Sequence, residues 1–198
     1  MAAEMVANGN RTYSAVPAKL DRTVVLVGLM GAGKSVIGRR LSHVLNVPFA
    51  DADHEIEAAA GCTINDIFAQ YGEAAFREGE ARVMARLLDG PPHILAAGGG
   101  AFMNADTRAR IRERAVSVWL KADLELLFRR TSGRGHRPLL NTTDPRQALA
   151  DLIEHRYPVY AEADITVTMV EESPEVSCRR VLDALHKHFG RPLEESPA

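Results

Sequence analysis

The sequence predicts an α/β fold built on a five-stranded parallel sheet flanked by helices. Two observations carry this reading. Five short apolar runs alternate with segments of helical period along the chain, and strands joined in that way form parallel sheets covered on both faces. In addition, three segments rich in Gly or Asp, at 28–35, 51–53 and 98–100, follow the first three runs. In an open parallel sheet ligands bind at the carboxyl ends of the strands, so these segments gather the unusual residues on one edge.

Each element is justified by local pattern. Residues 1 to about 21 lack a period and are rich in Ala, Asn and small polar residues, which reads as a flexible leader. Thr23 to Val27 is a β-branched run closed by Gly28, a buried-strand signal. Ile37, Leu41, Val44 and Leu45 then fall on one helical face. Val47 to Ala50 forms the second run and ends in Asp51-Ala52-Asp53. Thr63 and Asp66 make a cap for one helix, and a second runs from about Glu73 to Leu88 with Phe76, Val83 and Leu87 on its stripe. His93 to Ala97 is the third strand and leads into Gly98, Gly99 and Gly100. A helix from about Asp106 to Arg114 precedes a fourth strand, Val116 to Leu120, and Asp123 caps the next helix. Residues 131 to about 143, with Gly133, Arg134, Gly135, His136, Arg137 and Pro138, read as a polar mobile loop. Pro145 opens a helix through about Tyr157, and Ile165 to Met169 is the fifth strand. Ser173-Pro174 starts the last helix, with Cys178 on its apolar stripe, and a polar tail follows Gly190. The domain so defined is 22–190, between the leader and the tail at 191–198.

Composition narrows the function. A chain of 198 residues with 46% hydrophobic and 25% charged residues supports one compact domain. A net charge of -2 gives no basic field to recruit nucleic acid or an anionic membrane. The run Arg129, Arg130, Arg134, Arg137 is short and lacks interleaved aromatics, so it suits a lid over phosphate better than a nucleic-acid surface. No apolar stretch approaches the ~18 residues of a membrane span. Cys62 and Cys178 lie far apart in no metal or redox spacing, as expected of a cytoplasmic protein.

Gly28-Leu-Met-Gly-Ala-Gly-Lys-Ser35 fits the phosphate-loop pattern, and it lies between a predicted strand and a predicted helix. Backbone N–H groups of such a loop wrap phosphate oxygens, with the positive end of the helix dipole behind them. Lys34 supplies charge for the β- and γ-phosphates, and Ser35 a hydroxyl for Mg²⁺. Asp51 and Asp53, two apart on an extended strand end, are expected to share a face toward the same cleft, although Asp is also a common strand-end and N-cap residue. One suits a metal and the other suits a proton acceptor; since the third strand ends in glycines and not in Asp, Asp51 is the better metal candidate.

Together these segments resemble the shikimate kinase family. The likeness runs from about Thr23 to Phe189: GLMGAGKS at 28–35, DAD at 51–53, GCTINDIFAQYGEAAFREGE at 61–80, AAGGG at 96–100, RPLL at 137–140 and RYPVY at 156–160. The resemblance implies a P-loop NTPase fold with a lid, at about 131–143, and a substrate-binding subregion. It implies transfer of a phosphoryl group from ATP, with Mg²⁺, to the 3-hydroxyl of shikimate, on the way to chorismate and aromatic amino acids. It places Asp53, Arg77, Gly99 and Arg156 at shikimate. It places Lys34, Ser35 and Arg137 at phosphate, metal and lid, within a nucleotide site that includes Gly31, Ala32, Gly33, Val36, Arg130 and Pro174. Val36 departs from the Thr or Ser usual after the loop, which puts one hydroxyl contact in doubt.

The residues also allow a bottom-up account of the acceptor. Two planar guanidiniums, Arg77 and Arg156, can clamp a carboxylate with charge-assisted pairs, although a lone helix arginine is by default solvated. Glu80 sits one turn after Arg77 and can orient it. Gly98 to Gly100 can present backbone N–H groups to substrate, or can simply turn the chain. Another small-molecule kinase, acting on gluconate or a nucleotide, is the first alternative. A GTPase-like switch or non-catalytic nucleotide-binding module is the second, and the absence of an N-K-x-D motif speaks against it. The protein is expected to act as a monomer on two small molecules, without nucleic acid or membrane partners.

Overall fold

The computed structural model describes residues 19–132 and 142–196. The leader through residue 18, the lid segment 133–141 with Arg137, and residues 197–198 lie outside the described residues.

The central strand is β1 (Thr23–Val27), buried at every position. Beside it run β3 (Ile94–Ala96) and β4 (Ala115–Lys121), with β2 (Phe49–Asp51) and β5 (Ile165–Thr168) outermost; all pairings are parallel, in the order β2-β3-β1-β4-β5. The pattern follows from burial on both faces: β1 and β3 are continuously apolar after Thr23, whereas edge strand β5 alternates buried Ile165 and Val167 with exposed Thr166 and Thr168. Helices α1 (Lys34–Val44), α2 (Ala52–Ala60), α3 (Ile64–Leu88), α4 (Ala105–Arg114), α5 (Leu124–Thr131), α6 (Pro145–Tyr160) and α7 (Pro174–Phe189) make the crossovers and flank the sheet. Trp119 and Cys178 are core residues. In the segment after α7, Leu193 is buried and Ser196 N–H donates to the Val44 carbonyl.

The structure departs from the sequence expectation at the acidic pair. The chain does not stay extended through Asp53. It turns helical at Ala52, so Asp51 ends β2 and caps α2, its side chain accepting the Asp53 N–H at 3.2 Å. Asp is a strong N-cap, and the alanines at 58–60 are good helix formers. Asp53 and Glu55 then fill the first turn, where the helix dipole favours negative charge.

The two helical segments expected around residues 63–88 form α3, broken at Gly72 (φ 79°, ψ 175°). That left-handed φ favours glycine. A small separate cluster of Ile56, Ile67, Phe76 and Val83 joins α2 to α3, with the Phe68 and Phe76 rings 4.7 Å apart. A reciprocal cap anchors this unit: the Thr63 hydroxyl accepts the Asp66 N–H at 3.2 Å while Asp66 accepts the Thr63 N–H at 3.1 Å. The Thr63 hydroxyl also donates to the Asp66 carboxylate at 2.6 Å, and this bond, with that from the Thr63 N–H, holds the carboxyl below its usual range. Thr63→Ala lowers Tm by roughly 2–4 °C at neutral pH in a thermal melt. Because a depressed carboxyl stabilises above its unfolded pKa, the gap to wild type closes as pH falls through that lowered range; a gap independent of acid would show that the carboxylate is not part of the cap.

Candidate active site

Parallel pairing brings the carboxyl ends of β1, β3 and β2 together. Leu26 pairs with Ala96 and Asp51 with Ala96, so the three unusual segments lie side by side. They open into a cleft of about 790 Å³. Of the predicted residues, Gly31, Gly33, Lys34, Ser35, Val36, Arg130 and Pro174 line it around the 28–35 loop. Asp51, Asp53, Arg77, Gly99, Gly100 and Arg156 line the remainder. Ala32 is fully buried beneath the loop, and Gly98 backs the wall without lining it. Arg137 is outside the described residues.

The loop geometry suits phosphate. Gly28, Gly31 and Gly33 have φ of 148°, 84° and 99°, and a Cβ on Gly28 would sit 2.9 Å from the Leu120 carbonyl. Lys34 Nζ donates to the carbonyls of Gly28 (2.9 Å) and Leu29 (3.1 Å), which arches its charge over the loop. Ser35 Oγ donates to Asp51 Oδ2 at 2.5 Å. Two hard oxygen donors therefore meet at the start of α1, a set that fits Mg²⁺, which takes few protein ligands and completes its shell with water and phosphate. Arg130 lies over the loop, its Nη1 4.0 Å from where a Gly33 Cβ would be. Val36 is half-exposed at the rim.

The other end of the cleft is a charge cluster seated on the glycine turn. Arg77 Nη1 donates to Glu80 at 2.9 Å and Nη2 to Glu73 at 2.9 Å. Glu80 is only 3% exposed. Burial raises its pKa, and nearby Asp53 adds to that rise, while Arg77 and Arg156 oppose it. Arg156 is also buried, and its Nη1 donates to the Gly99 carbonyl at 2.8 Å.

Two of the three glycines, Gly98 and Gly100, are there for room. None of Gly98, Gly99 and Gly100 has a left-handed φ. A Cβ on Gly98 would lie 2.6 Å from Glu80 Oε1 and 2.8 Å from Asp53 Oδ1, and one on Gly100 would lie 2.1 Å from Arg77 Nη1. The turn thus leaves its side-chain space to Glu80, Asp53 and Arg77.

Sequence reasoning missed two contributors. Glu172 lines the cleft, its carboxylate held by Ser177 Oγ (2.7 Å) and Arg180 Nη2 (2.5 Å); it sits two residues before Pro174. Tyr160 also reaches the site, by donating to the Gly99 carbonyl. It stands in the quoted RYPVY segment, where only Arg156 was singled out.

A five-stranded parallel sheet with a phosphate loop after β1, and an acidic and cationic acceptor end beside it, defines a P-loop small-molecule kinase. Comparison with known proteins narrows this class. The sequence profile of the family described as shikimate kinase matches residues 30–186. The shikimate kinase of Paramagnetospirillum magneticum is 59% identical over 167 residues, covering 84% of this chain and 86% of the relative. That of Caulobacter vibrioides is 59% identical over 166 residues, covering 84% and 83%. Among solved structures, the shikimate kinase from Acinetobacter baumannii in complex with shikimate superposes with a TM-score of 0.82 at 37% identity, covering 84% of this chain and 93% of that one. The chain belongs to the shikimate kinase family, and it is an ATP-dependent kinase.

Proposed function

We propose that this protein transfers the γ-phosphoryl group of ATP to the 3-hydroxyl of shikimate. The observation that carries this reading is the pairing of Arg77 and Arg156 at the end of the cleft that also holds Asp53. Shikimate presents a carboxylate and three hydroxyls, and planar guanidiniums recognise a carboxylate in paired charge-assisted bonds.

The acceptor hydroxyl attacks the γ-phosphorus, a new P–O bond forms, and the bond to the β-phosphate oxygen breaks to release ADP. Asp53 orients the hydroxyl and accepts its proton. Lys34 offsets the charge on the phosphoryl group, and Arg137 does so from the lid segment. The loop N–H groups from Gly31 to Val36 hold the phosphates, with Arg130 and Pro174 beside the base. Ser35 and Asp51 would hold Mg²⁺, which supplies charge neutralisation at the phosphates when bound. Asp53, Gly99, Gly100, Arg77 and Arg156 face the acceptor, and Gly98 backs them. The enzyme acts as a monomer, and the two free cysteines suit a reducing cytoplasm. Among the described residues no helix is long and apolar enough to cross a membrane.

A coupled ADP-release assay tests the reading. With Mg²⁺ and ATP, shikimate supports turnover and gluconate does not; turnover on gluconate alone overturns it. Gly100→Ala gives a finer check. The three atoms nearest its Cβ would all belong to the Arg77 guanidinium, so the fold yields by moving Arg77. The shikimate KM rises about tenfold or more, on the scale of a lost charged hydrogen bond, while Tm and the ATP KM stay near wild type. An unchanged shikimate KM would place the acceptor away from this turn.

A further inference from the structure

The Gly99 carbonyl receives two donors, and their side chains also interact with each other. One is Arg156 Nη1, at 2.8 Å, which lines the cleft. The other is the hydroxyl of Tyr160, which is fully buried and does not face the cleft. Arg156 and Tyr160 are one turn apart on α6, so they share a helical face. The Tyr160 ring is held in turn by an aromatic cluster, with ring centroids of Trp119 at 6.1 Å and Phe102 at 6.4 Å. Trp119 belongs to β4 and Phe102 to the short turn of helix at Ala101–Met103 that follows the glycines.

We propose that Tyr160 is a positioning residue for the acceptor end, fixing the Gly99 peptide and, through it, the guanidinium of Arg156. A trans peptide points its C=O and N–H in opposite directions. With the Gly99 carbonyl anchored on Tyr160 and Arg156, the Gly100 N–H of the same peptide plane points away from the aromatic cluster. The hydroxyl therefore sets two groups at once: the tilt of the glycine turn and the angle of the arginine. Burial pushes the Tyr160 phenol pKa up, so it remains a neutral donor across the working pH range. Arg156 needs such a fixed partner because the glycine turn has no side chains to brace it. Tyr157 serves as an internal comparison. It belongs to the same cluster, 4.9 Å from Trp119, yet its hydroxyl donates to the Ala122 carbonyl, away from the turn.

The proposal rests on the reading that Arg156 binds the shikimate carboxylate, and the experiment separates the two. Tyr160→Phe keeps the ring and removes only the hydroxyl. Its shikimate KM rises about fivefold, the scale of one hydrogen bond, with the ATP KM and Tm near wild type. Tyr157→Phe leaves the shikimate KM unchanged. In an Arg156→Ala background, Tyr160→Phe adds little further, because the residue it aims is gone. Equal rises in both KM values, or a full additive loss in the Arg156→Ala background, would assign Tyr160 to packing alone and overturn the proposal. If Arg156→Ala itself leaves the shikimate KM unchanged, the site reading fails first. If Arg156→Ala raises it and Tyr160→Phe does not, only the positioning role fails.

Discussion

Asp53→Asn lowers kcat by about 10²–10⁴ and leaves Tm and ATP binding close to those of wild type. The side chain is exposed in the first turn of α2, and the bond that ties this residue to Asp51 uses the backbone N–H. Asparagine keeps that bond and the shape of the side chain while removing the proton acceptor. The change also removes a negative charge that raises the pKa of Glu80. Glu80 then ionises more readily and holds Arg77 at least as firmly, so the loss falls on kcat more than on shikimate KM. Asp51→Asn has a different signature. Asp51 accepts from Ser35, so this variant raises the Mg²⁺ concentration needed for half-maximal rate. Steady-state ADP release across a Mg²⁺ titration checks both. A kcat for Asp53→Asn within threefold of wild type rules out general-base work, and superimposable titrations remove the division between the two aspartates.

The aspartates also show where sequence reading stops. Their presence at a strand end was legible, because β2 is apolar and the acidic residues interrupt it. Their geometry was not. An Asp ending a strand and an Asp capping a helix look alike in sequence, and the choice falls to helix formers downstream such as the alanines at 58–60. The shape of the 28–35 loop was legible since it depends on local backbone, set by glycine and by the following helix. The break between the two helical segments near residue 73 was legible in pattern, and the structure places it at Gly72. The Gly98–Gly100 turn was seen, but its physical cause was hidden. Gly98 and Gly100 answer to Glu80, Asp53 and Arg77, which arrive from other elements. Tyr160 was invisible as a site residue because its role exists only once α6 packs against the turn. Local chemistry survives in one dimension, whereas contacts between distant elements do not.

Removing either arginine of the acceptor end weakens shikimate binding by roughly 2–5 kcal/mol, since a carboxylate in a partly desolvated cleft is left under-paired. The two residues fail differently. Arg77 is about one-third exposed and shares its guanidinium with Glu73 and Glu80. Arg77→Ala therefore leaves Glu80 buried without its strongest partner, and an uncompensated carboxylate takes up a proton more readily. Arg156 is buried and also supports the Gly99 carbonyl, so Arg156→Ala costs stability as well and lowers Tm. Arg77→Lys keeps charge but loses the planar fork and recovers only part of the affinity. ATP affinity measured alone stays near wild type in all three variants, because neither arginine lies at the phosphate loop. The decisive comparison uses a shikimate analogue with a neutral carboxamide in place of the carboxylate. Wild type discriminates strongly against it, and Arg77→Ala and Arg156→Ala discriminate much less, since the group that read the charge is missing. Affinity loss without a change in discrimination would mean that the arginines only hold the cleft in shape. Loss of discrimination in both variants ties each guanidinium to the carboxylate itself, which is the chemical feature that separates shikimate from a neutral polyol of the same size.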